Sequence, residues 1–285
     1  MTAAMETGTG LTAFAETYPE RFFDVGIAEE HAVSMAAGLA ARGMIPAVAI
    51  YSTFLQRAYD MLLQDISLPG VHAVFGVDRS GIVGADGETH HGLFDTAYLS
   101  QLPSVEVWAP ASYRELKDML HHAVTEITSP AAIKYPRGTE GAYTDGGADA
   151  VKLICGGDDA VIVTYGIMVN EAVEAARILR EKGVSAGVVK LGRISPIDHD
   201  GLLPHLAGKH VLVLEENGST GGVGERIAAK LLESGTAVRS YTRKNTGDVF
   251  VPHGTRRELM EYCGIDAQGA ADALLGEITH GSKTT

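Results

Sequence analysis

Glu29, Glu30 and His31 stand directly ahead of a helical pattern. A carboxyl group fixed there can give or take a proton. Acidic residues in a first helical turn also simply complement the helix dipole, and spacing alone does not choose between the two roles. A second cluster, Asp86, His90 and His91, lies in the glycine-rich stretch 81–92 that follows a strand pattern. Loops at the C-terminal ends of parallel strands are where α/β folds put their sites, and a histidine there can exchange a proton near neutral pH. Adjacent histidines point apart in an extended loop and no third ligand is in view, so no metal is expected. Arg57 and Arg137 have the planar fork that grips a phosphate, although each alone reads as an ordinary surface ion-pair partner. Gly221-Gly222-Val223-Gly224 offers backbone N–H groups ahead of a helix, as a phosphate loop does. A glycine turn that lets strand and helix pack closely is the commoner use, and the full dinucleotide fingerprint is absent.

The elements that must position these residues follow from hydrophobic periodicity. Residues 28–42 read as a helix with Ala32, Met35, Ala36 and Leu39 on one face, ended by Gly43. Strands are expected over 47–50, 71–77, 105–108 and 131–135, with helices over 53–65 and 113–124. After a Gly-, Asp- and Ala-rich stretch the alternation resumes: strands over 160–165, 186–190 and 211–215, helices over 169–182 and 224–234. Strands alternating with helices predict the α/β class, here as two doubly wound domains whose mainly parallel sheets are covered by helices. The expected bounds are a first domain over 1–140, a linker over 141–158 and a second domain over 159–285. The opening, Met1–Leu11, is rich in Thr, Gly and Ala and carries no strong strand.

The chain has 285 residues, 45% apolar and 21% charged, with a formal net charge of -13. So acidic a chain suits neither nucleic acid nor an anionic membrane surface, while a local arginine pair would still accept a small phosphorylated substrate. Two distant cysteines, Cys155 and Cys263, form no disulfide framework. The start carries no basic residue before Arg21 and no apolar segment of a signal peptide, and no run reaches the ~18 apolar residues of a membrane span. A cytoplasmic protein is expected.

Taken together the segments are specific. The run 23–33, Phe-Asp-Val-Gly-Ile-Ala-Glu-Glu-His-Ala-Val, resembles the pyrimidine-binding domain of transketolase-like enzymes. Residues 49–60, Ala-Ile-Tyr-Ser-Thr-Phe-Leu-Gln-Arg-Ala-Tyr-Asp, narrow the resemblance to the 1-deoxy-D-xylulose-5-phosphate synthase family, as do residues 84–90, Gly-Ala-Asp-Gly-Glu-Thr-His. Tyr135-Pro136-Arg137-Gly138 closes the first domain in the manner of that family. Leu214-Glu215-Glu216-Asn217, Gly221-Gly222 and Pro252-His253-Gly254-Thr255 resemble its C-terminal domain. The resemblance runs from about Thr2 to about Leu275 and is to the C-terminal half of the family.

The resemblance implies thiamine diphosphate as cofactor, with Glu29 beside the aminopyrimidine and Phe54 packed on that ring. It implies condensation of pyruvate with D-glyceraldehyde 3-phosphate and loss of CO2, serving isoprenoid, thiamine and pyridoxal biosynthesis. Tyr51, Arg57 and Arg137 would hold the acceptor's phosphate end, and Asp86 and His90 its reacting or hydroxyl end. Glu30 and His91 both stand where the family commonly has Gln. Adjacent helical residues point about 100° apart, so only one of Glu29 and Glu30 can serve. The family binds the diphosphate and its Mg2+ through a Gly-Asp-Gly motif on another domain, and this sequence has none. The opening also lacks the strand and helix that usually begin the pyrimidine domain. The expectation is a split-gene subunit or a fragment that needs an N-terminal half as partner, in a homo- or hetero-oligomer. The rivals are the small subunit of a split transketolase, the β subunit of a 2-oxo-acid dehydrogenase and a non-catalytic binding paralogue.

Overall fold

A computed structural model describes residues 1–281 of the chain. The first part opens with a short helix α1 (Thr12–Thr17), followed by α2 (Glu29–Ala41) and strand β1 (Ala47–Tyr51). Ala32, Val33 and Ala36 bury one face of α2, and Gly43 follows its end with a positive φ of 82°. A helical run then covers residues 52–67. It changes pitch three times: α3 (Ser52–Leu55), a 3-10 turn (Gln56–Ala58), α4 (Tyr59–Met61) and a π turn (Leu62–Ser67). The single regular helix expected over 53–65 is therefore replaced by one wound tighter, then looser. Ala58, Leu62 and Ile66 stay in the core while Arg57, in the tight turn, faces α2.

Next come β2 (Val74–Asp78), α5 (Asp95–Ser100), β3 (Glu106–Trp108), α6 (Tyr113–Thr125) and β4 (Ala131–Lys134). The second part holds β5 (Val151–Cys155), β6 (Ala160–Tyr165), α7 (Val169–Glu181), β7 (Ala186–Leu191), β8 (Arg193–Ser195), α8 (His199–Leu206), β9 (His210–Leu214), α9 (Val223–Ser234), β10 (Ser240–Lys244), α10 (Arg256–Cys263) and α11 (Ala267–Gly281). Two five-stranded sheets result, in the orders β1-β2-β4-β3-β8 and β10-β9-β6-β7-β5. All pairings are parallel except β3 with β8 and β5 with β7. Central strands such as β6 are buried at every position, as parallel strands covered on both faces must be.

Two features depart from the expected linear division. The stretch 141–158, expected as a linker, contains the edge strand β5. Its residues are half-exposed on both faces, so no alternation marked it in the sequence. And β8, which follows β7 of the second sheet directly, pairs with β3 of the first, Val107 opposite Ser195 and Trp108 opposite Arg193. The two sheets are stitched further by Lys190 on β7 and Glu115 on α6, an ion pair at 3.1 Å with both side chains buried.

At the opening, Met1 and Ala3 are buried. The Met1 carbonyl accepts from Ala49 N–H at 2.9 Å, and Thr2 N–H donates to Phe23 O at 3.0 Å. No helix among the described residues is long and apolar enough to cross a membrane.

Candidate functional site

The residues singled out in the first sheet converge at the C-terminal ends of β1, β2 and β4. Glu29 begins α2 and is only 3% exposed. Its carboxylate meets Arg57 Nη1 at 3.3 Å, and the arginine side chain is half in solvent. The Arg57 guanidinium also stands 5.5 Å from the Phe54 ring centroid. Phe54 stacks on Tyr51 at 5.7 Å with the planes 13° apart, and the edge of His90 meets Phe54 at 5.6 Å. Arg137 pairs with Asp86, both partly exposed. Thr53 ties the helical run to the loop by donating to the Thr89 carbonyl at 2.8 Å. The outcome is one continuous surface, running from a buried carboxyl group through an arginine and an aromatic wall to a histidine. Arg57 is thus seated beside Glu29, and Arg137 beside Asp86.

His90 and His91 do point apart. His91 is buried, its Nδ1 accepting from Val83 N–H at 3.0 Å and its Nε2 3.1 Å from the Pro252 carbonyl. It pins the 81–92 loop to the second part of the chain. Glu216 does the same, accepting from Ile82 N–H at 2.8 Å while pairing with Arg256 at 2.9 Å. Gly218 N–H donates to Leu93 O at 3.0 Å. Sequence motifs from the second sheet therefore hold the loop that carries Asp86 and His90. Among the described residues no group of three or more His, Cys, Asp or Glu is placed to hold a metal ion.

The glycine run 221–224 binds an anion of the chain's own. Glu215, fully buried, accepts from Val223 N–H at 2.9 Å and Gly224 N–H at 3.1 Å. Burial pushes its carboxyl group up, and those two backbone donors oppose the rise. A Cβ on Gly222 would stand 2.7 Å from a Glu215 oxygen. Gly222→Ala is accordingly expected to lower stability by about 1–3 kcal/mol, read from urea unfolding midpoints. A midpoint equal to the wild type would show that the carboxylate can move aside.

Sequence reasoning missed two participants. Arg79 lies 3.6 Å above the Tyr51 ring centroid, donates to Gly8 O at 3.1 Å and pairs with Asp78 at 3.1 Å. Its φ of +57° is a strained conformation of the kind that accumulates at functional sites. Burial pushes the Tyr51 phenol up, and the Arg79 charge partly offsets it. The other participant is Lys134, buried at the end of β4 against Asp95. A lysine closing the otherwise apolar run Ala131–Lys134 was the available signal, since a buried charge needs a partner.

The first of two doubly wound sheets thus gathers a buried glutamate, an aromatic wall and two arginines around its strand ends. The model of the transketolase pyrimidine binding domain matches residues 1–140, and that of the transketolase C-terminal domain matches 149–269. The chain belongs to the transketolase family. Within it, the chain is similar to the C-terminal half of 1-deoxy-D-xylulose-5-phosphate synthases. It is 45% identical to that of Syntrophus aciditrophicus, over 100% of this chain and 45% of that protein. It is 44% identical to synthase 1 of Geobacter sulfurreducens, over 96% of this chain and 44% of that protein. The chain thus spans about half the length of the curated relatives it matches. Among solved structures, a split-gene transketolase described as an inactive β4 tetramer superposes with a TM-score of 0.83 at 28% identity, covering 97% of this chain and 90% of that one. A transketolase of Pichia stipitis superposes with a TM-score of 0.82 at 19% identity, over 99% of this chain and 43% of that one, a likeness of fold.

Proposed function

We propose that this chain is the C-terminal half of a 1-deoxy-D-xylulose-5-phosphate synthase, condensing pyruvate with D-glyceraldehyde 3-phosphate with loss of CO2. A partner N-terminal half would hold the diphosphate of thiamine diphosphate and its Mg2+. The observation that carries the reading is the buried Glu29 carboxylate, linked through the Arg57 guanidinium to the half-buried Phe54 ring. A flat heteroaromatic amine needs such a set, one carboxyl group for a ring nitrogen and one aromatic face to lie against, so the residues fit the cofactor. Thiamine diphosphate, when bound, supplies the carbanion-stabilising chemistry of decarboxylation and transfer.

The chain's own residues do the rest. Glu29, buried at the start of α2, would hold a ring nitrogen of the aminopyrimidine and exchange a proton there, and Phe54 would lie against that ring. Arg57 and Arg137, each already facing a carboxylate, offer cationic donors to an acceptor's phosphate. Tyr51 stands within reach of the same charges, and Asp86 and His90 present hydrogen-bonding groups to the acceptor's hydroxyl and aldehyde end. The second sheet holds the 81–92 loop in place through His91 and Glu216.

The test is pyruvate consumption with thiamine diphosphate and Mg2+, with and without a cognate N-terminal half and with and without D-glyceraldehyde 3-phosphate. Turnover is expected only when both the partner and the aldehyde are present, with deoxyxylulose phosphate as product. The chain alone is expected to be inactive, in line with the β4 tetramer of the split-gene transketolase. An assembled complex that leaves pyruvate untouched would overturn the reading, and transfer from a ketose phosphate instead would make it a transketolase.

A further inference from the structure

Beneath the candidate site lies a buried polar hub that no step above uses. Asp95, the first residue of α5, is fully buried. Its Oδ1 accepts from Lys134 Nζ at 2.7 Å. Its Oδ2 accepts from Ser52 Oγ at 2.9 Å and from Ser80 Oγ. Lys134 Nζ also donates to Thr96 Oγ1. These three partners are no random set. Ser52 follows Tyr51 at the end of β1 and opens the helical run of Phe54 and Arg57. Ser80 follows β2 and Arg79 and opens the loop of Asp86 and His90. Lys134 ends β4, three residues before Arg137. One carboxylate therefore ties together the three strand ends from which every candidate site residue except Glu29 departs.

The packing around the hub leaves it little freedom. A Cβ on Gly92 would stand 2.5 Å from Ser52 Oγ and 2.5 Å from Arg79 O, so the loop closes directly on it. All four groups are buried, and in so dry a place an unmade bond to the carboxylate is expensive. The bonds are thus kept, and they convert the carboxylate's position into the relative position of three loops.

We propose that Asp95, through Ser52, Ser80 and Lys134, is the positioning residue that sets the spacing between the aromatic wall, the His90 loop and Arg137. The inference rests on the functional reading above for its kinetic consequence, but not for its structural one. If it holds, loosening one strand end displaces the acceptor contacts while the buried carboxyl group at Glu29 stays in place. Misplacement on the 1 Å scale is worth up to about 100-fold in such sites.

The experiment uses the full chain, alone and with its N-terminal half. Asp95→Asn removes the charge that Lys134 faces and is the severe variant. Ser80→Ala and Ser52→Ala keep the Asp95–Lys134 pair and so keep the fold. Gly187→Ala, on β7 of the second sheet where a Cβ would stand 2.9 Å from the Cys155 carbonyl oxygen, serves as a variant destabilised away from the hub. Hydrogen exchange by mass spectrometry is the readout independent of activity. Ser80→Ala is expected to speed exchange in residues 81–92 by about tenfold, and Ser52→Ala in residues 52–57, each with a smaller rise in the other segment. In the complex, both are expected to raise the KM for D-glyceraldehyde 3-phosphate by about tenfold with kcat changed less than threefold. Gly187→Ala should lower the unfolding midpoint and leave that KM alone. Exchange rates in the three loops that match the wild type would overturn the proposal whatever the activity. So would an acceptor KM raised equally by Gly187→Ala. Loops loosened as expected in a complex that never consumes pyruvate would uphold the hub and overturn the assignment of the reaction instead.

Discussion

Glu29→Gln is expected to lower kcat by about 10³-fold or more while the chain still folds and assembles. The substitution keeps the shape of a side chain that is 3% exposed and removes only its ability to carry a negative charge or release a proton. A positioned acid–base group is worth about 10²–10⁴ in rate, and in the proposed reaction every turnover would pass through this one carboxyl group. Because the loss falls on the chemical step, the KM for the aldehyde should stay within a few-fold, and pyruvate consumption should fall with product formation. Glu30→Gln is the internal control. Glu30 is half-exposed on the adjacent helical direction, and its replacement should change kcat less than threefold. Steady-state kinetics beside size-exclusion chromatography of the complex reads both. An Asn- or Gln-substituted Glu29 that retained a tenth of wild-type turnover would take away the role assigned to the residue. Loss of assembly without loss of rate in the remaining complex would make Glu29 a packing residue.

Much of this was legible in the sequence for one physical reason. Parallel strands buried on both faces read as unbroken apolar runs, and the helices between them keep a period of 3.6. Hence the strands of both sheets up to β9 fell within a few residues of their observed places, with β5 and β8 as the exceptions. Both lie at sheet edges: half-exposure removes the pattern in β5, while β8, mostly buried, is only three residues long and too short to show one. The pitch changes in residues 52–67 were equally invisible, since apolar residues at helical spacing look alike whether the turn is tight or wide. The candidate site itself was read from residue types in motifs, and the structure brings Tyr51, Phe54, Arg57, Asp86, His90 and Arg137 to one set of strand ends.

What sequence could not supply was the pairing. Arg57 beside Glu29, Arg137 beside Asp86 and Arg79 over Tyr51 are contacts between segments up to 51 residues apart. Glu215 offered no hint that its carboxylate, rather than a ligand's phosphate, fills the glycine run at the start of α9. His91 was weighed as a metal ligand, and its actual work is to join the 81–92 loop to Pro252. Each of these turns on which polar group reaches which, a question decided by the fold after the elements are in place.

The second large effect concerns Glu115 and Lys190, which join α6 of the first part to β7 of the second. The Glu115 carboxylate accepts from Tyr143 Oη at 2.7 Å and from Ala111 N–H at 2.8 Å besides facing Lys190 at 3.1 Å, so it is fully engaged. Glu115→Ala leaves a buried ammonium group and two unpaired donors. A loss of about 3–5 kcal/mol is expected, and replacing both partners, Glu115→Gln with Lys190→Met, should recover much of it. The pH dependence identifies the cause. Burial already holds Lys190 below the ordinary lysine value near 10.5, with Glu115 pulling it back up, so the variant lowers it further. Between the lowered folded value and the unfolded one, the unfolded chain binds more protons, and stability rises with pH. The deficit of Glu115→Ala relative to the wild type should therefore be greatest near neutrality and shrink as pH climbs toward 10.5, where the unfolded lysine also gives up its proton. Urea unfolding of the single and double variants at pH 7 and pH 9 measures it, below the range in which the Tyr143 phenol, which burial and Glu115 hold above its ordinary value of 10.0, ionises in the unfolded chain. A deficit that does not change with pH would assign the loss to the Tyr143 and Ala111 hydrogen bonds rather than to the stranded charge.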